Sequence, residues 1–443
     1  MRVIESAGYY FPDSIGGTES YVSSLAKKLQ DNGIGCVVAA PHQSNKISQY
    51  THEGIEVFRY PFPEQPLRSE TQGRVPPRYF GTFEAWLRER RADVYHQHSW
   101  TTGCGLWHLQ AAKQLGLKTL ITLHVPGSVC MRGTMLFEGR AACDGQIIPK
   151  RCASCWLQSK GLPVGTARRI AQLPRVLGTL AQVPHIGPVL AANSLAVKRK
   201  KEIHEIAALT DRIVVPCSWL YGALLGNGVV PGKLVLNRQG VGHHVQGSVK
   251  RRAIKKPDAF RFGFLGRWDP VKGVHILVEA FKRLPADRPV ELVICAVGDG
   301  CAAEKYIDEV RRSATLDHRI QIIPMLPPGQ VSIFLVDIDA LVVPSQWLET
   351  GPIVVLEAFA VGTPVIGSDL GGISELVSHG RNGLLVSHND VSAWTTAMMR
   401  LAADHMLLAK LREGIGPVRT MSDVASDMGV LYRELFLMKP NAA

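Results

Sequence analysis

The sequence has 443 residues, which is more than one hydrophobic core usually organises and therefore indicates two domains. Its composition, 46% hydrophobic and 20% charged, is that of a globular protein without low-complexity tracts. No apolar run reaches the roughly 18–20 residues that cross a bilayer, and the first residues lack the long apolar region of a signal peptide. We therefore expect a cytoplasmic protein without a spanning helix.

The net charge of +12 is unevenly distributed along the chain. Residues 1–256 carry 33 Lys and Arg against 16 Asp and Glu, whereas residues 257–443 carry 17 against 22. The first half therefore attracts anions. No helix-turn-helix, RNA-recognition or basic-zipper pattern is present, so nucleic acid is not an expected partner, and an anionic membrane surface or a lipid-phosphate acceptor fits better.

Basic runs that would suit reversible peripheral attachment to a membrane lie in the first half of the sequence. They are Lys198–Lys201, Arg168-Arg169 with Arg175, and Arg88 with Arg90 and Arg91. Solvated faces of a soluble enzyme explain such runs equally well.

The first half alternates buried strands with amphipathic helices, and glycine or proline marks most strand ends. This alternation predicts a parallel, doubly wound α/β sheet. The predicted strands are Arg2–Ser6, Cys36–Ala40, Asp93–His96, Thr119–Leu123, Val189–Ala192 and Arg212–Pro216.

A Gly-Gly turn, Gly16-Gly17, precedes the first predicted helix, Ser20–Gln30. Two glycines allow a phosphate or a sugar to approach the backbone next to the helix N-terminus, although most such turns only connect elements. No G-x-G-x-x-G follows a strand, which argues against a nicotinamide-dependent dehydrogenase.

Three histidines stand at the ends of two predicted strands. His96 and His98 follow Asp93 in the pattern D-x-x-H-x-H, and His124 follows the apolar run Leu120–Leu123. A histidine at a strand end is more often structural than catalytic, so residue type alone assigns them no role.

Four of the nine cysteines cluster in a Gly- and Arg-rich segment that interrupts the strand–helix alternation. Cys130, Cys143, Cys152 and Cys155 have the spacing C-x12-C-x8-C-x2-C. Disulfides are not expected in a cytoplasmic protein, whereas four thiolates can hold one structural zinc ion or an iron–sulfur cluster. Four free thiols are the remaining alternative, because only one pair has the spacing typical of a metal site.

The basic stretch 247–258 has few large apolar residues and is typical of a linker. A second alternating series follows it, with helices such as Lys272–Leu284 and Glu304–Ala314. Its predicted strands are Arg261–Leu265, Val290–Val297, Ile320–Pro324, Ala340–Pro344, Pro364–Gly367 and Gly383–Val386. The whole pattern predicts two Rossmann-like domains in tandem, with ligands at the carboxyl ends of the strands.

Cations and a glycine follow the first two strands of this second series. Arg267 and Lys272 lie in the loop and first helical turn after the first strand, where a guanidinium and an ammonium can converge on phosphate. Gly298 follows the second strand, where it would let backbone approach a nucleotide. An Arg and a Lys near a turn are nevertheless common without any such role.

Two carboxylates, Glu349 and Glu357, flank a turn and the start of a predicted helix. The turn Thr350-Gly351-Pro352 lies just ahead of that helix, whose free N–H groups and positive end suit a diphosphate. Glu357 can accept hydrogen bonds from ribose hydroxyls, and Glu349 can do the same for a hexose. Two isolated glutamates at this spacing are usually solvated surface groups, so the surrounding strand, turn and helix carry the prediction.

Taken together, these motifs resemble those of the retaining glycosyltransferases of family 4, which have the GT-B fold. The resemblance rests on E-x7-E at Glu349, on the G-R…K-G pattern at Arg267, on the Gly-Gly-x-Glu loop and on the D-x-x-H-x-H strand end. It implies an acceptor-side domain over 1–248, with a cysteine-rich insertion at 126–160. It further implies a nucleotide-sugar domain over 258–422 facing it across a cleft, and a last helix, 423–443, that packs back on the first domain.

The resemblance also implies roles for individual residues. His124 would lie beside the donor sugar, His96 and His98 would line the cleft, and the cysteine segment would shape the acceptor side. Catalytic roles fall to Glu349, His124, Arg267 and Lys272. Donor-binding roles fall to Gly16, Gly17, Arg267, Lys272, Gly298, Thr350, Gly351, Pro352 and Glu357. The donor would be a nucleotide-diphosphate sugar, with no divalent metal at the reaction centre.

The expected function is therefore transfer of a sugar to a polysaccharide or lipid-linked glycan acceptor during cell-surface glycan synthesis. An inactive nucleotide-sugar-binding subunit of an assembly is the main alternative, and the presence of both glutamates and both cations favours the enzyme. A zinc-based nucleic-acid binder is a third, which the acidic second half disfavours.

Overall fold

The protein is described by a computed structural model that covers residues 1–14, 16–242, 259–298 and 304–437. Two compact units are present, one formed by Met1–Gln239 with Met421–Ala443 and the other by Gly240–Thr420. The predicted linker 247–258 and the predicted boundaries at 248 and 258 lie outside the described residues.

Within its described residues the first unit contains an eight-stranded sheet. Its strands are β1 (Arg2–Ser6), β2 (Gly35–Gln43), β3 (Ser48–His52), β4 (Ile55–Phe62), β5 (Val94–Gln97), β6 (Lys118–Thr122), β9 (Arg212–Val215) and β10 (Leu234–Leu236), with the short pair β7 (Leu136–Phe137) and β8 (Ala141–Ala142) outside it. The strand order is β10-β9-β6-β5-β1-β2-β4-β3, and all neighbours are parallel except β3 and β4.

Helices connect these strands. They are α1 (Gly17–Asp31), α2 (Arg68–Thr71), α3 (Phe80–Glu89), α4 (Leu106–Gln114), α5 (Pro149–Ser159), α6 (Val164–Ile170), α7 (Ile186–Leu190), α8 (Ala192–Leu209) and α9 (Ser218–Gly226). In the cysteine-rich segment, α5 buries Ala153 and Leu157 against Ala167 of α6 and Ala192 of α8.

One strand predicted for the first half is wrong. Val189–Ala192 ends α7 and begins α8, because a short apolar run does not distinguish a strand from a helix and its alanines favour the helix. The antiparallel pair β3–β4 was not predicted. Its turn, Glu53-Gly54, has φ values of 49° and 81°, which is the left-handed conformation that two-residue hairpin loops use.

Within its described residues the second unit contains a six-stranded parallel sheet in the order β13-β12-β11-β14-β15-β16. Its strands are β11 (Phe260–Arg267), β12 (Val290–Val297), β13 (Ile320–Ile323), β14 (Ala340–Val343), β15 (Val365–Ser368) and β16 (Gly383–Val386). Its helices are α10 (Val274–Lys282), α11 (Glu304–Ala314), α12 (Pro328–Asp337), α13 (Ile353–Ala360), α14 (Gly371–Leu376), α15 (Val391–Ala403) and α16 (His405–Glu413).

This second sheet is covered on both faces, as expected for a parallel sheet. Phe262, Phe281 and Trp394 belong to the core on one side, and Leu341 and Val355 to the core on the other. The strands predicted for the second half from their continuous apolar runs are all present.

The last helix, α17 (Met421–Leu437), belongs to the first unit. Its buried face includes Met428 and Leu435 and shares a core with Leu25 of α1. Just before this helix the chain lies beside Val241, whose N–H donates to the Arg419 carbonyl at 2.9 Å. Among the described residues, no helix is both long enough and apolar enough to span a bilayer.

Candidate active site

An ion pair between Lys272 and Glu349 forms the centre of the candidate site in the second unit. Lys272 ends a short 3₁₀ turn after β11, and Glu349 lies in the loop after β14. Because β11 and β14 are parallel neighbours, their carboxyl ends bring the two loops together. Lys272 Nζ lies 2.7 Å from Glu349 Oε1 and 5.2 Å from the centre of the Trp347 ring. The sequence predicted both residues but not their contact.

The backbone beside this pair depends on Gly273, whose φ is 73°. A Cβ at Gly273 would lie 1.9 Å from the carbonyl oxygen of Pro344, so this close approach requires glycine. The Gln346 N–H also donates to the Val271 carbonyl at 2.6 Å. These contacts hold the turn that carries Lys272 against the strand end that leads to Glu349.

Glu349 is buried, with 6% of its surface exposed. Burial would raise the pKa of Glu349, but the Lys272 ammonium and hydrogen bonds from Lys272 and Ser345 hold it below its usual value. The Ser345 hydroxyl donates to Glu349 Oε1 at 2.8 Å. Glu349 is therefore ionised at neutral pH. The sequence analysis did not identify Ser345, although a polar residue between a buried strand and an acidic turn was a visible signal.

Glu357 lies on α13 and differs from Glu349 in its partners. Burial raises the pKa of Glu357 to about 7. Within the described part of the chain, no hydrogen bond or ion pair involves its side chain. A partly buried carboxylate without a partner is unfavourable in a structural role, and a ligand that donates hydroxyl hydrogen bonds would satisfy it.

The turn Thr350–Pro352 lies between the two glutamates, with Pro352 as the N-cap residue of α13. It rests on a second Gly-Gly turn, Gly371-Gly372, at the start of α14. The second of these glycines donates its N–H to the Glu349 carbonyl at 2.6 Å, and a Cβ on the first would lie 2.9 Å from Leu348 Cα. This turn was not predicted, although it has the same pattern as Gly16-Gly17, a Gly-Gly pair before a helix.

Two other predicted donor-site residues are placed nearby but do not join the ion pair. Arg267 ends β11, its side chain is exposed, and its Nη2 lies 3.8 Å from Asp269 Oδ2. Gly298 follows β12 with a φ of 110°, a conformation that favours glycine. Residues 299–303, which continue that loop, lie outside the described residues.

In the first unit, a buried carboxylate, Glu5 of β1, joins the predicted histidines. His98 Nε2 donates to Glu5 Oε2 at 2.6 Å, and His96 Nδ1 lies 3.3 Å from the same oxygen. His98 Nδ1 lies 3.1 Å from His124 Nε2. No role was predicted for Glu5, although an acidic residue in a buried first strand is unusual.

Tyr432 of α17 completes this cluster. Its hydroxyl donates to Glu5 Oε1 at 3.0 Å and accepts from His96 Nδ1 at 2.6 Å, while Thr122 bonds His96 Nε2 at 2.7 Å. These partners fix the histidine tautomers. Since His98 donates to Glu5 through Nε2, its Nδ1 accepts the Nε2–H of His124. Tyr432 was not predicted, because it is distant in the chain from the residues that it contacts.

Gly16 and Gly17 stand at the start of α1, with Gly16 as its N-cap residue. A Cβ at Gly16 would lie 2.6 Å from Glu19 Oε2, so the carboxylate of the first helical turn occupies the space beside this glycine. The Ser14 hydroxyl donates to the other oxygen of Glu19 at 2.8 Å. Hydroxyls rather than phosphates are the natural partners of such a turn, since its nearest charge is negative.

The four clustered cysteines line one partly open pocket in the first unit. Cys155 is buried and the other three are partly buried, and all four are free thiols. The structure thus brings together in space four cysteines that the sequence grouped only by spacing.

Solved structures share this fold over nearly the whole chain. Sucrose-phosphate synthase from Thermosynechococcus elongatus matches with a TM-score of 0.68 at 20% identity, over 98% of this chain and 99% of its own. The Anabaena protein HepE in complex with UDP and glucose matches with a TM-score of 0.65 at 14% identity, over 98% and 100%. The two Rossmann-like units therefore define a glycosyltransferase fold of the GT-B class.

Sequence comparison identifies the family within this class. The model of the glycosyl transferase 4-like domain matches residues 16–153, and that of the group 1 glycosyl transferases matches residues 248–416. The D-inositol 3-phosphate glycosyltransferase of Corynebacterium glutamicum strain R is 32% identical over 437 residues, covering 95% of this chain and 92% of that protein. The same enzyme of Paenarthrobacter aurescens is 32% identical over 417 residues, covering 90% and 87%. The chain belongs to the family 4 glycosyltransferases, which confirms the resemblance.

Proposed function

We propose that this glycosyltransferase moves a sugar from a nucleotide-diphosphate sugar to a glycan or lipid-linked acceptor, with retention of the anomeric configuration. The observation that carries the proposal is the ion pair of Lys272 with the buried Glu349, together with Glu357 on the helix that follows. A UDP-sugar is the first donor to test, because the structural neighbour HepE binds UDP and glucose.

The second unit binds the donor in this proposal. Glu357 accepts hydrogen bonds from the ribose hydroxyls. These hydroxyls are then the partners that its carboxylate lacks among the described residues. The diphosphate lies against the N–H groups of Thr350 and Gly351 and those at the start of α13. Gly298 lets backbone approach the nucleotide, and Glu349 holds hydroxyls of the sugar.

The reaction breaks the bond between the anomeric carbon and the diphosphate oxygen, while the acceptor oxygen attacks from the face that the diphosphate leaves. The acceptor proton passes to an oxygen of the leaving phosphate. Lys272 and Arg267 offset the charge that develops on the diphosphate, which is stabilisation specific to the transition state. These groups perform the transfer by charge and position, without a divalent metal at the reaction centre.

His124 contributes to catalysis from the first unit in this proposal, and Gly16 and Gly17 contribute to sugar binding. Burial, together with the neighbouring His98 and His96, lowers the pKa of His124 well below its usual value. His124 is therefore neutral at pH 7 and acts through hydrogen bonds rather than as a cation. The Glu5–His98 pair is a positioning device, because it fixes which nitrogen of His124 carries the proton.

The acceptor carries phosphate or lies at an anionic lipid surface in this proposal, because the excess positive charge is on the first half of the chain. Inositol phosphate joins the acceptors to test, since curated relatives 32% identical are inositol 3-phosphate glycosyltransferases. Polysaccharide and lipid-linked glycan acceptors complete the panel.

In this proposal, fewer cations serve peripheral membrane attachment than the basic runs of the sequence contain, because several of them form ion pairs. In the run Lys198–Lys201, the first two residues form ion pairs with Glu202 at 3.6 and 3.8 Å. Likewise Arg88 and Arg90 pair with acidic neighbours. The exposed Arg175 lies beside Val176, which is 73% exposed, and this combination of charge and apolar surface suits an anionic interface better.

The test begins with thermal-shift screening of UDP-, GDP- and ADP-sugars, followed by transfer assays with the acceptor panel and NMR of the anomeric product. We expect one donor class to stabilise the protein, retained configuration, and activity that survives EDTA. Lys272→Ala and Arg267→Ala should each lower turnover more than donor affinity. An inverted product, a strict requirement for magnesium or manganese, or variants with a raised KM and unchanged kcat would contradict the mechanism.

A further inference from the structure

The cysteine segment has little regular structure of its own to order it. Between the 3₁₀ turn Pro126–Ser128 and α5, its regular elements in this structure are the two-residue strands β7 and β8. Such a segment gains order when side chains from its separate turns bind one group. Four thiols line one partly open pocket between these turns.

The four thiols come from three places in the segment. Cys130 follows the 3₁₀ turn, Cys143 directly follows β8, and Cys152 and Cys155 lie on α5. Helix residues three apart share a face, so the last two approach the pocket from the same side. All four line this pocket, which makes a four-thiolate ligand set available at one place.

The spacing of the sulfurs favours a cluster over one metal ion. A Zn–S bond is about 2.3 Å, so two thiolates on one zinc ion are at most about 4.6 Å apart. Among the described cysteines, no three sulfurs lie within 4.8 Å of one another. A cubic iron–sulfur cluster binds each thiolate at a different iron atom, and its ligand sulfurs are therefore spread more widely.

The lining of the pocket also fits an iron–sulfur cluster. Val129, Met135 and Leu136 are at most 5% exposed and shield the pocket with apolar surface. Arg132 and Arg151 line the same pocket and would offset the negative charge of a thiolate-ligated cluster. The Glu138 N–H donates to Cys155 Sγ at 3.2 Å, and hydrogen bonds to ligand sulfur are among the interactions that tune such clusters.

We propose that Cys130, Cys143, Cys152 and Cys155 bind a [4Fe–4S] cluster that orders the segment between Val129 and α5. The cluster has a structural role: it joins the loop to α5, which packs on α6 and α8. This proposal does not depend on the identity of the donor or the acceptor, so it stands or falls separately from the proposed function.

The test uses the full chain purified without oxygen, with iron, zinc and acid-labile sulfide measured per chain. We expect about four iron atoms and four sulfides, and a broad visible charge-transfer absorption. Cys152→Ser should lose at least half of the iron. Cys36→Ser is the matched control, because Cys36 is a partly buried cysteine on β2 that does not line the pocket, and it should keep the full content.

Reconstitution keeps the proposal testable if Cys152→Ser folds poorly. Metal-free wild-type protein incubated anaerobically with ferrous iron, sulfide and a thiol reductant should regain the absorption and protect the 126–160 segment from proteolysis. About one zinc per chain without sulfide would overturn the cluster assignment. Failure to take up iron after reconstitution would overturn it as well, as would a Cys36→Ser variant that loses iron as Cys152→Ser does.

Discussion

Each unit of this glycosyltransferase buries a carboxylate close to the carboxyl ends of its strands, but the two are neutralised differently. Glu349 is paired with the ammonium of Lys272, whereas Glu5 is held by His98, His96 and Tyr432. Burial would raise the pKa of Glu5, but the two histidines lower it to about 2, and burial lowers the pKa of His98 to about 4. The partner of Glu349 is therefore an ammonium on a flexible side chain, whereas the partners of Glu5 are rings held in a hydrogen-bond network.

Because of this difference, the Lys272–Glu349 pair can exchange partners, whereas the cluster around Glu5 preserves its geometry. An ammonium on a flexible stem can turn from a carboxylate toward an incoming phosphate, because both are anions that accept its hydrogen bonds. Imidazoles with assigned tautomers and a phenol hydroxyl cannot be redirected without breaking the network. We therefore expect substitutions at the Lys272–Glu349 pair to affect turnover first, and substitutions around Glu5 to affect stability first.

The largest expected effect is on turnover. Glu349→Gln removes the charge that holds Lys272 and leaves one weaker acceptor for sugar hydroxyls, so kcat should fall by on the order of 100-fold or more, as for misplaced catalytic groups. Affinity for the free nucleoside diphosphate, measured by calorimetry, should change by less than about threefold. Glu304→Gln on the exposed start of α11 is the control. Wild-type turnover in Glu349→Gln would remove Glu349 from the mechanism.

Glu5→Gln should affect stability more than turnover. A glutamine cannot accept from His98, His96 and Tyr432 together, so the unfolding free energy of the first unit should fall by about 2–4 kcal/mol. Hydrogen exchange of first-unit amides measures this loss, and Glu84→Gln on the surface of α3 is the control. A variant as stable as wild type but slow in transfer would instead assign Glu5 a direct role in catalysis.

The acid sensitivity of the first unit should follow from the same cluster. The folded-state pKa of His98 is about 4, below its ordinary 6.5, so the unfolded chain binds more protons and stability is lost as pH falls from 6.5 toward 4. Glu5 adds a second loss between pH 4.5 and 2. His98→Gln should show a shallower decline between pH 6.5 and 4 in urea unfolding. An equally steep decline would mean that other groups control acid unfolding.

Glu357 extends the comparison to a partly buried carboxylate whose partner would be the ligand, and its substitution should give the smallest effect. With a pKa of about 7, it is partly protonated at neutral pH. Affinity for UDP should therefore fall several-fold as pH is lowered from 8 to 6, because the carboxylate is the better acceptor. Glu357→Gln should bind more weakly at pH 8 and lack this dependence. Comparing the two proteins cancels the titration of UDP itself, and parallel pH curves would contradict the ribose role.

The sequence predicted what depends on local pattern and missed what depends on distant contact. Continuous apolar runs located the strands of the second unit, and the spacing of Glu349 and Glu357 located the candidate donor site. The sequence could not show that Gly273 passes beside Pro344, nor that Lys272 contacts Glu349, since neighbouring parallel strands are distant in the chain. The strand predicted at Val189–Ala192 is wrong for the opposite reason, because its local pattern fits both a strand and a helix.

The return of α17 to the first unit has a consequence for biosynthesis. Tyr432, which completes the hydrogen bonds of Glu5 and His96, leaves the ribosome only after the whole second unit has been translated. At about 5–20 residues per second, translation of that unit takes roughly 10–35 s. During this interval the nascent first unit exposes the surface of α1 that α17 later covers and keeps an acid buried without its phenol partner. The core of the first unit is therefore completed only after the second unit has been translated, although the first unit holds the amino terminus.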